Sequence, residues 1–325
     1  MEWEKYWNWL LSEKKFTLLV REMDEADESI GNKETIKEIC HQIYLDYEKW
    51  RNHLIGIKDD FLHIIEELQG VHLQTSRIKT LDSLIGKVIT KRHENYANRK
   101  SGYSRINAGN YKSIITDLIG MRLIINYRGK WNDIHGEIIK AFPYTDLKLY
   151  DQWDILPHPE NGESILVEIP KVYYAEGDDI ERYEHYKLIP KLHPMGYRSI
   201  HYTVSYQGVY IEIQVRTIYD EAWSDCDHNY VYKQDENKSH TALEQMSFLL
   251  CQLTNFSNDF GECMRDIFEN EAMEETDQNQ WIASEEIYDV MEDSLIRIKD
   301  IYTQMEAFQN RLVKESAGGK HGSEV

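Results

Sequence analysis

Two runs of strict alternation, Arg198–Tyr206 and Val209–Thr217, are separated only by Gln207-Gly208, and this pairing constrains the chain more than any other feature. Side chains in a strand point to opposite faces in turn, so a tight turn there makes a hairpin with two unlike surfaces. On the second strand Val209, Ile211, Ile213 and Val215 share a buried face. Tyr210, Glu212, Gln214 and Arg216 share the other, beside Tyr197, Ser199, His201 and Thr203 of the first strand. A phenol, an imidazole, a hydroxyl, a carboxylate, an amide and a guanidinium on one sheet face make a ligand site a better reading than a merely solvated surface.

The rest of the chain places that hairpin in a mixed α/β core with helical additions. Further β-rich runs occur at 121–127 and 164–174, between helical stretches. Ile36, Cys40, Ile43, Tyr47, Trp50, Leu54, Ile57, Phe61, Ile64 and Leu68 alternate spacings of four and three, the seam of one long helix of ~50 Å. A helix over residues 2–22 precedes it, with Gly31-Asn32 as the turn between them. After residue 236 two apolar stripes predict a return to helix: Leu243, Met246, Leu250, Leu253 and Phe256, then Met291, Leu295, Ile298, Tyr302, Met305 and Leu312. The division expected is a helical extension over 1–75, a core over 76–235, and a helical region over 236–325 that ends in a frayed tail. The terminal seams are expected to pack within the chain, with pairing across a homo-oligomer as the alternative.

Composition narrows the function classes. With 41% hydrophobic and 29% charged residues the chain reads as a soluble globular protein. No apolar run approaches the length of a membrane span, no secretory leader is evident, and the expected location is the cytoplasm. Cys40, Cys226, Cys251 and Cys263 form no CxxC pair or zinc spacing and read as reduced structural thiols.

A net charge of −20 argues against a whole surface that binds nucleic acid, but the charge is uneven. From Arg77 to Lys130 twelve Lys or Arg stand against three Asp or Glu; from Asp259 to Asp300 fourteen acidic residues stand against three basic. A basic island in an acidic protein suits a compact anion such as a triphosphate. The acidic stretch offers a complementary cover for that basic face.

Within the island, Thr80 is an N-cap candidate, and Ser83, Lys87 and Lys91 lie on one face of the helix that follows. Arg77 and Lys79 flank its N-terminus, where backbone N–H groups already favour an anion. Asp117 stands at the entrance of a strand whose Met121, Leu123 and Ile125 point inward and whose Arg122 points the other way. Its residue type fits a magnesium ligand and a turn cap equally.

RIKTLDSLIGK, DLIGMR, GYRSIHYTV, IEIQVRT and AWSDCDHNYVYK occur in the order and rough spacing of the RelA/SpoT synthetase domain, which residues 76–235 resemble. The resemblance implies a nucleotidyltransferase-like fold, a mixed β-sheet flanked by helices. It implies transfer of the β,γ-pyrophosphate of ATP to the ribose 3′-hydroxyl of GDP or GTP, giving AMP and (p)ppGpp with Mg2+. Matched position by position, Arg77, Lys79, Ser83, Lys87 and Arg122 are implied to bind ATP, and Asp117 and Glu212 to hold the metal and act in catalysis. Tyr197 is implied to stack on the acceptor base, with Lys191, His201, Gln214, Arg216 and His228 around the acceptor, and Lys233 matches the family's HxxxYK segment.

The lead-in Lys191–Tyr197 is two residues longer than the family's usual Lys-Pro-Asn-Gly-Tyr and lacks its Asn. No His-Asp hydrolase pair is evident. Three alternatives stay open. One is a toxic relative that pyrophosphorylates the 3′ end of tRNA and is paired with an antitoxin; Lys91, Arg92, Arg99, Lys100 and Arg105 favour it. The others are an adenine-nucleotide acceptor, giving (p)ppApp, and a catalytically inactive nucleotide sensor.

Overall fold

The computed structural model describes residues 2–13, 16–29, 35–97, 101–143, 164–232, 241–274, 292, 295–307 and 309–310. The helices are α1 (Trp3–Glu13), α2 (Thr17–Ser29), α3 (Ile36–Glu66), α4 (Leu81–Glu94), α5 (Tyr111–Ile114), α6 (Trp131–Ala141), α7 (Ile218–Asp227) and α8 (Thr241–Glu274). The strands are β1 (Leu73–Ile78), β2 (Ile119–Ile125), β3 (Ile165–Leu166), β4 (Lys171–Tyr174), β5 (Ile189–Leu192), β6 (Ser199–Tyr206) and β7 (Val209–Thr217). They form one mixed sheet of order β1-β2-β7-β6-β4-β5, with β3 also paired to β6. This is the mixed α+β architecture expected.

The hairpin forms as its alternation dictates. Gln207 and Gly208 carry φ of 48° and 76°, the pair of positive angles that matches the twist of the two strands they join. Ile200, Tyr202, Val204 and Tyr206 pair with Val215, Ile213, Ile211 and Val209 on one face. That face shares a single core with residues of α1, α3, α4 and α6.

Helix α3 starts at a capping box, in which Thr35 N–H donates to Glu38 Oε2 at 2.9 Å and Glu38 N–H to Thr35 Oγ at 3.3 Å. Its seam is spent on the chain's own core. Tyr47 Oη donates to the Lys79 carbonyl at 2.6 Å, and Phe61 stacks on Phe142 with centroids 5.1 Å apart.

Four expectations need correction. The helix read over 2–22 is two helices, α1 and α2. The run 164–174 is broken into β3 and β4 around Glu168–Pro170, where proline has no N–H for a ladder. In α8 the stripe read as buried lies partly in solvent, with Leu243, Met246 and Leu253 exposed, while Ser247, Leu249, Cys251 and Asn258 are buried. Leu295, Ile298, Tyr302 and Met305 of the second stripe are exposed as well. Gly31-Asn32, Met291, Leu312 and the tail lie outside the described residues. Among the described residues no helix is long and apolar enough to cross a membrane.

Beneath the sheet Trp131 Nε1 donates to Tyr202 Oη, and Tyr202 Oη lies 3.0 Å from His135 Nδ1. With its oxygen receiving the indole proton, the phenol gives its own proton to Nδ1, which requires a neutral imidazole. Burial moves the His135 pKa down to about 4. Such a lowered histidine favours folding fully above its unfolded pKa near 6.5, and that contribution is lost as pH falls towards 4. Melting curves should therefore show on the order of 3 kcal/mol of pH-dependent loss from this residue between about pH 7 and 4. His135→Gln should flatten that slope, and an unchanged slope would refute the assignment.

Candidate active site

The opposite face of the sheet gathers the polar residues into rows set by strand register. Arg77, Gly120, Glu212 and Thr203 form one row across β1, β2, β7 and β6. Thr75, Arg122, Gln214, His201 and Lys171 form the next. Ser199, Tyr173 and Lys191 neighbour one another on β6, β4 and β5. The Arg77 side chain packs over Gly120, where a Cβ would meet its Nε at 3.4 Å and its Cγ at 3.5 Å, ordinary contact distances.

Asp117 enters this face from the segment before β2. Lys79 N–H donates to the Leu118 carbonyl at 2.9 Å, which ties the end of β1 to the start of β2. Asp117 then takes Lys79 Nζ at 2.6 Å and Lys87 Nζ at 2.9 Å, one on each oxygen. Burial opposes its ionisation, but Lys87 and Lys79 outweigh burial and hold its pKa well below the ordinary carboxylate range.

The two lysines differ. Burial lowers Lys79, which Lys87 and Arg77 also repel, and its pKa falls. Lys87 feels the same burial but faces Asp117, Tyr103 and Glu212, and its pKa rises. Lys87 thus lies in the field of both carboxylates, and Asp117 and Glu212 act on each other.

Glu212 is gripped from two sides. Gln214 Nε2 donates to its Oε2 at 2.5 Å, and His201 Nδ1 stands 3.3 Å from its Oε1. Burial alone would raise its pKa; the hydrogen bond and charge of His201, with Lys87, bring it to about 2.

Both grips lead back to Arg216. Its Nη2 donates to Tyr197 Oη at 2.6 Å and to Gln214 Oε1 at 2.5 Å. Tyr197 Oη lies 2.9 Å from His201 Nε2, so one hydroxyl joins Arg216 to the imidazole whose Nδ1 faces Glu212. Nη1 of Arg216 reaches Glu221 and Ser224, both at 2.9 Å, and Nε reaches Ser199 Oγ at 3.4 Å. All five donors are used, which fixes the geometry of Tyr197 and Glu212 together. The guanidinium carbon also lies 4.9 Å over the Tyr197 ring centroid, and Tyr173 meets that ring edge-on at 5.6 Å.

The remaining candidates are less central. Arg122 donates to Glu221 at 2.7 Å, so one carboxylate bridges Arg122 and Arg216. Ser83 is exposed in the first turn of α4, where it takes the Thr80 hydroxyl proton at 2.8 Å. Lys191 is exposed on the edge strand β5, opposite Tyr173. His228 is exposed one turn beyond Ser224, at the end of α7. Lys233, Arg99 and Lys100 lie outside the described residues. Lys91 pairs with Glu94 at 2.6 Å, and Arg92 is buried with its guanidinium on the Ile106 carbonyl at 3.3 Å. Arg92 is therefore occupied within the protein, whereas Lys91 and Glu94 form a surface ion pair.

Three participants escaped the sequence reading. Glu221 falls in a helix where acidic residues are commonplace. Tyr173 could have been found from the alternation of β4. Glu168, which accepts from Thr203 Oγ and pairs with Lys171 at 2.6 Å, sits in an interruption of the strand pattern and gave no signal. Among the described residues no group of three or more His, Cys, Asp or Glu is placed to hold a metal.

Two carboxylates that act on each other, Lys87 in the field of both, and an arginine–tyrosine pair thus share one face of the sheet. Residues 76–237 match the profile described as a region found in RelA / SpoT proteins, and through this segment the chain belongs to the RelA/SpoT family. A comparison with curated proteins finds no match.

Three solved structures give partial matches. Small alarmone synthetase 1 from Bacillus subtilis has 17% identity and a TM-score of 0.39, over 69% of this chain and 96% of that one. A GTP pyrophosphokinase family protein from Streptococcus pneumoniae has 17% identity and a TM-score of 0.38, over 73% and 96%. The protein smu.1046c from Streptococcus mutans UA159 has 15% identity and a TM-score of 0.41, over 71% and 96%.

Proposed function

We propose that this chain transfers the β,γ-pyrophosphoryl group of ATP to the ribose 3′-hydroxyl of GDP or GTP. The observation that carries the reading is the single sheet face on which Asp117 and Glu212 share the field of Lys87. Arg77 lies at one end of that face and the Tyr197–Arg216 platform at the other. Family membership supports the same chemistry.

In this reading the acceptor oxygen bonds to the β-phosphorus of ATP, the bond from that phosphorus to the α-bridging oxygen breaks, and AMP leaves. Arg77, Lys79 and Lys87 bind the phosphates, with the two lysines passing from Asp117 to phosphate oxygens. Asp117 and Glu212 are hard oxygen donors, and two carboxylates completed by substrate phosphates are a usual magnesium environment. Magnesium bound there would neutralise charge on the transferred group. Glu212, with a pKa of about 2, is too weak a base to remove the hydroxyl proton early. It orients the hydroxyl through an ionic hydrogen bond and receives the proton as the oxygen becomes bonded to phosphorus. Tyr197 offers its ring to the acceptor base, and His201 and Gln214 hold Glu212 in place for the sugar.

A guanosine nucleotide is favoured over tRNA because Arg92, a cation of the basic island, is buried and engaged on the Ile106 carbonyl. In the described part of the acidic stretch, Asp259 meets Arg128 of the basic island and Glu262 meets Arg182.

The test is incubation of the purified chain with γ-labelled ATP and magnesium, adding GDP, GTP, ATP or bulk tRNA separately. Label is expected in the GDP and GTP reactions, with AMP formed in equal amount. Label confined to tRNA or to an adenine nucleotide, or no transfer at all, overturns the proposal.

A further inference from the structure

Helix α8 lies beyond the family match, yet one of its faces is fitted to the core in detail. Ser247, Cys251, Asn255 and Asp259 recur every four residues and so line one side of the helix. Ser247 takes Trp223 Nε1–H at 3.1 Å and donates to Asp227 at 2.6 Å. Asn255 takes Arg128 Nη1 at 2.7 Å, and Asp259 lies 3.6 Å from the same nitrogen. Between these anchors Cys251 sits against Gly196, the residue before Tyr197.

Gly196 has φ +83°, and a Cβ built on it would lie 2.5 Å from Cys251 Sγ. The thiol therefore occupies the space that only glycine leaves. It points at the Gly196 carbonyl at 3.7 Å. Arg198 Nη1 donates to that carbonyl at 3.0 Å and meets the sulfur at 3.4 Å, while Asp178 grips the other two nitrogens at 2.7 and 2.8 Å. Both residues that flank Tyr197 are thus clamped from behind, while Arg216 and His201 hold its hydroxyl from the front.

We propose that Cys251 is a positioning residue for the acceptor subsite, seating α8 in the notch of Gly196 and fixing the backbone that carries Tyr197. The proposal rests on reading Tyr197 as the platform for the acceptor base. Arg77, Lys79 and Lys87 are carried by β1, α4 and the segment between them, so a shift of residues 196–198 reaches the acceptor and spares ATP. A shift of about 1 Å can cost a hundredfold in a positioned reaction.

The test is steady-state kinetics on the full chain, with acceptor and ATP varied separately. Cys251→Leu, which adds bulk against Gly196, should raise the acceptor KM about tenfold or more and leave the ATP KM within about twofold. Cys251→Ala, which empties the notch at little risk to folding, should raise the acceptor KM about threefold, and Cys251→Ser, which keeps size and donor, should stay near wild type. Melting temperatures separate loss of fold from loss of position. If wild type transfers label and both the Leu and Ala variants keep its acceptor KM, or raise both KM values equally, the positioning role is overturned alone. A wild type that transfers label to no nucleotide overturns the functional reading, and this inference with it.

Discussion

Glu212→Gln should lower kcat for pyrophosphoryl transfer about a thousandfold, with the ATP KM nearly unchanged. The substitution keeps the shape and removes the charge. Glu212 receives donors on both oxygens, from Gln214 at 2.5 Å and from His201 at 3.3 Å. An amide must turn its own N–H2 towards one of them, so a hydrogen bond is lost as well as the anion that the proposed reaction sets against the acceptor hydroxyl. Removing one preorganised charged group from a site of this kind usually costs two to three orders of magnitude, about 3–4 kcal/mol of transition-state stabilisation. The fold should survive: the lost hydrogen bond, worth about 1 kcal/mol, is offset by relief of repulsion from Asp117. Label transfer from ATP and a thermal melt check the two halves. Activity within about tenfold of wild type would remove Glu212 from the chemistry.

Asp117→Asn should damage stability as much as activity. Lys79 and Lys87 converge on Asp117, with side chains only 10% and 25% exposed. Without the carboxylate two enclosed ammonium groups repel each other, and an asparagine oxygen cannot compensate two charges. Breaking a buried pair costs about 3–5 kcal/mol, which in a chain of this size lowers the melting temperature by roughly 10 °C.

The pH dependence follows from the lowered pKa of Asp117. A depressed carboxylate stabilises the fold above its unfolded pKa near 3.9, and that contribution disappears as pH falls through this range towards the folded value. The gap between wild type and variant should therefore be full at neutral pH and shrink below about pH 4. Metal-free ATP should bind the variant more tightly than wild type, because its phosphates then meet lysines that no carboxylate holds. An unchanged melting temperature at pH 7 would show that the two lysines do not depend on Asp117.

The sequence made the centre of this site legible because strand alternation is local. Glu212, Gln214 and Arg216 had to share a face, and the short turn at Gln207-Gly208 had to bring His201 and Thr203 beside them. The seam of α3 was equally plain, since apolar spacing identifies a buried helix whatever it packs against. Helix α8 was misread for the complementary reason. Its docked face carries Ser247, Cys251, Asn255 and Asp259, which resemble a solvated side until Trp223, Gly196 and Arg128 are known to oppose them. Polar complementarity is a property of two surfaces, and periodicity reports on one. In the same way Lys79, Lys87 and Asp117 read as separate ligands for phosphate and metal, whereas the folded chain holds them as one neutralising cluster.

By itself the amino-acid order determined the residue types, the hairpin and the face on which its polar groups lie, because steric alternation along a strand needs no distant partner. Tertiary structure alone decided that Asp117 meets two lysines, that Arg216 reaches Glu212 along two arms, and that α8 seats a thiol behind Tyr197. Those contacts join residues between 2 and 55 positions apart. Where the separation is large they exist only once burial of the apolar face has brought the segments together, and even the nearest of them gains its meaning from neighbours on other strands.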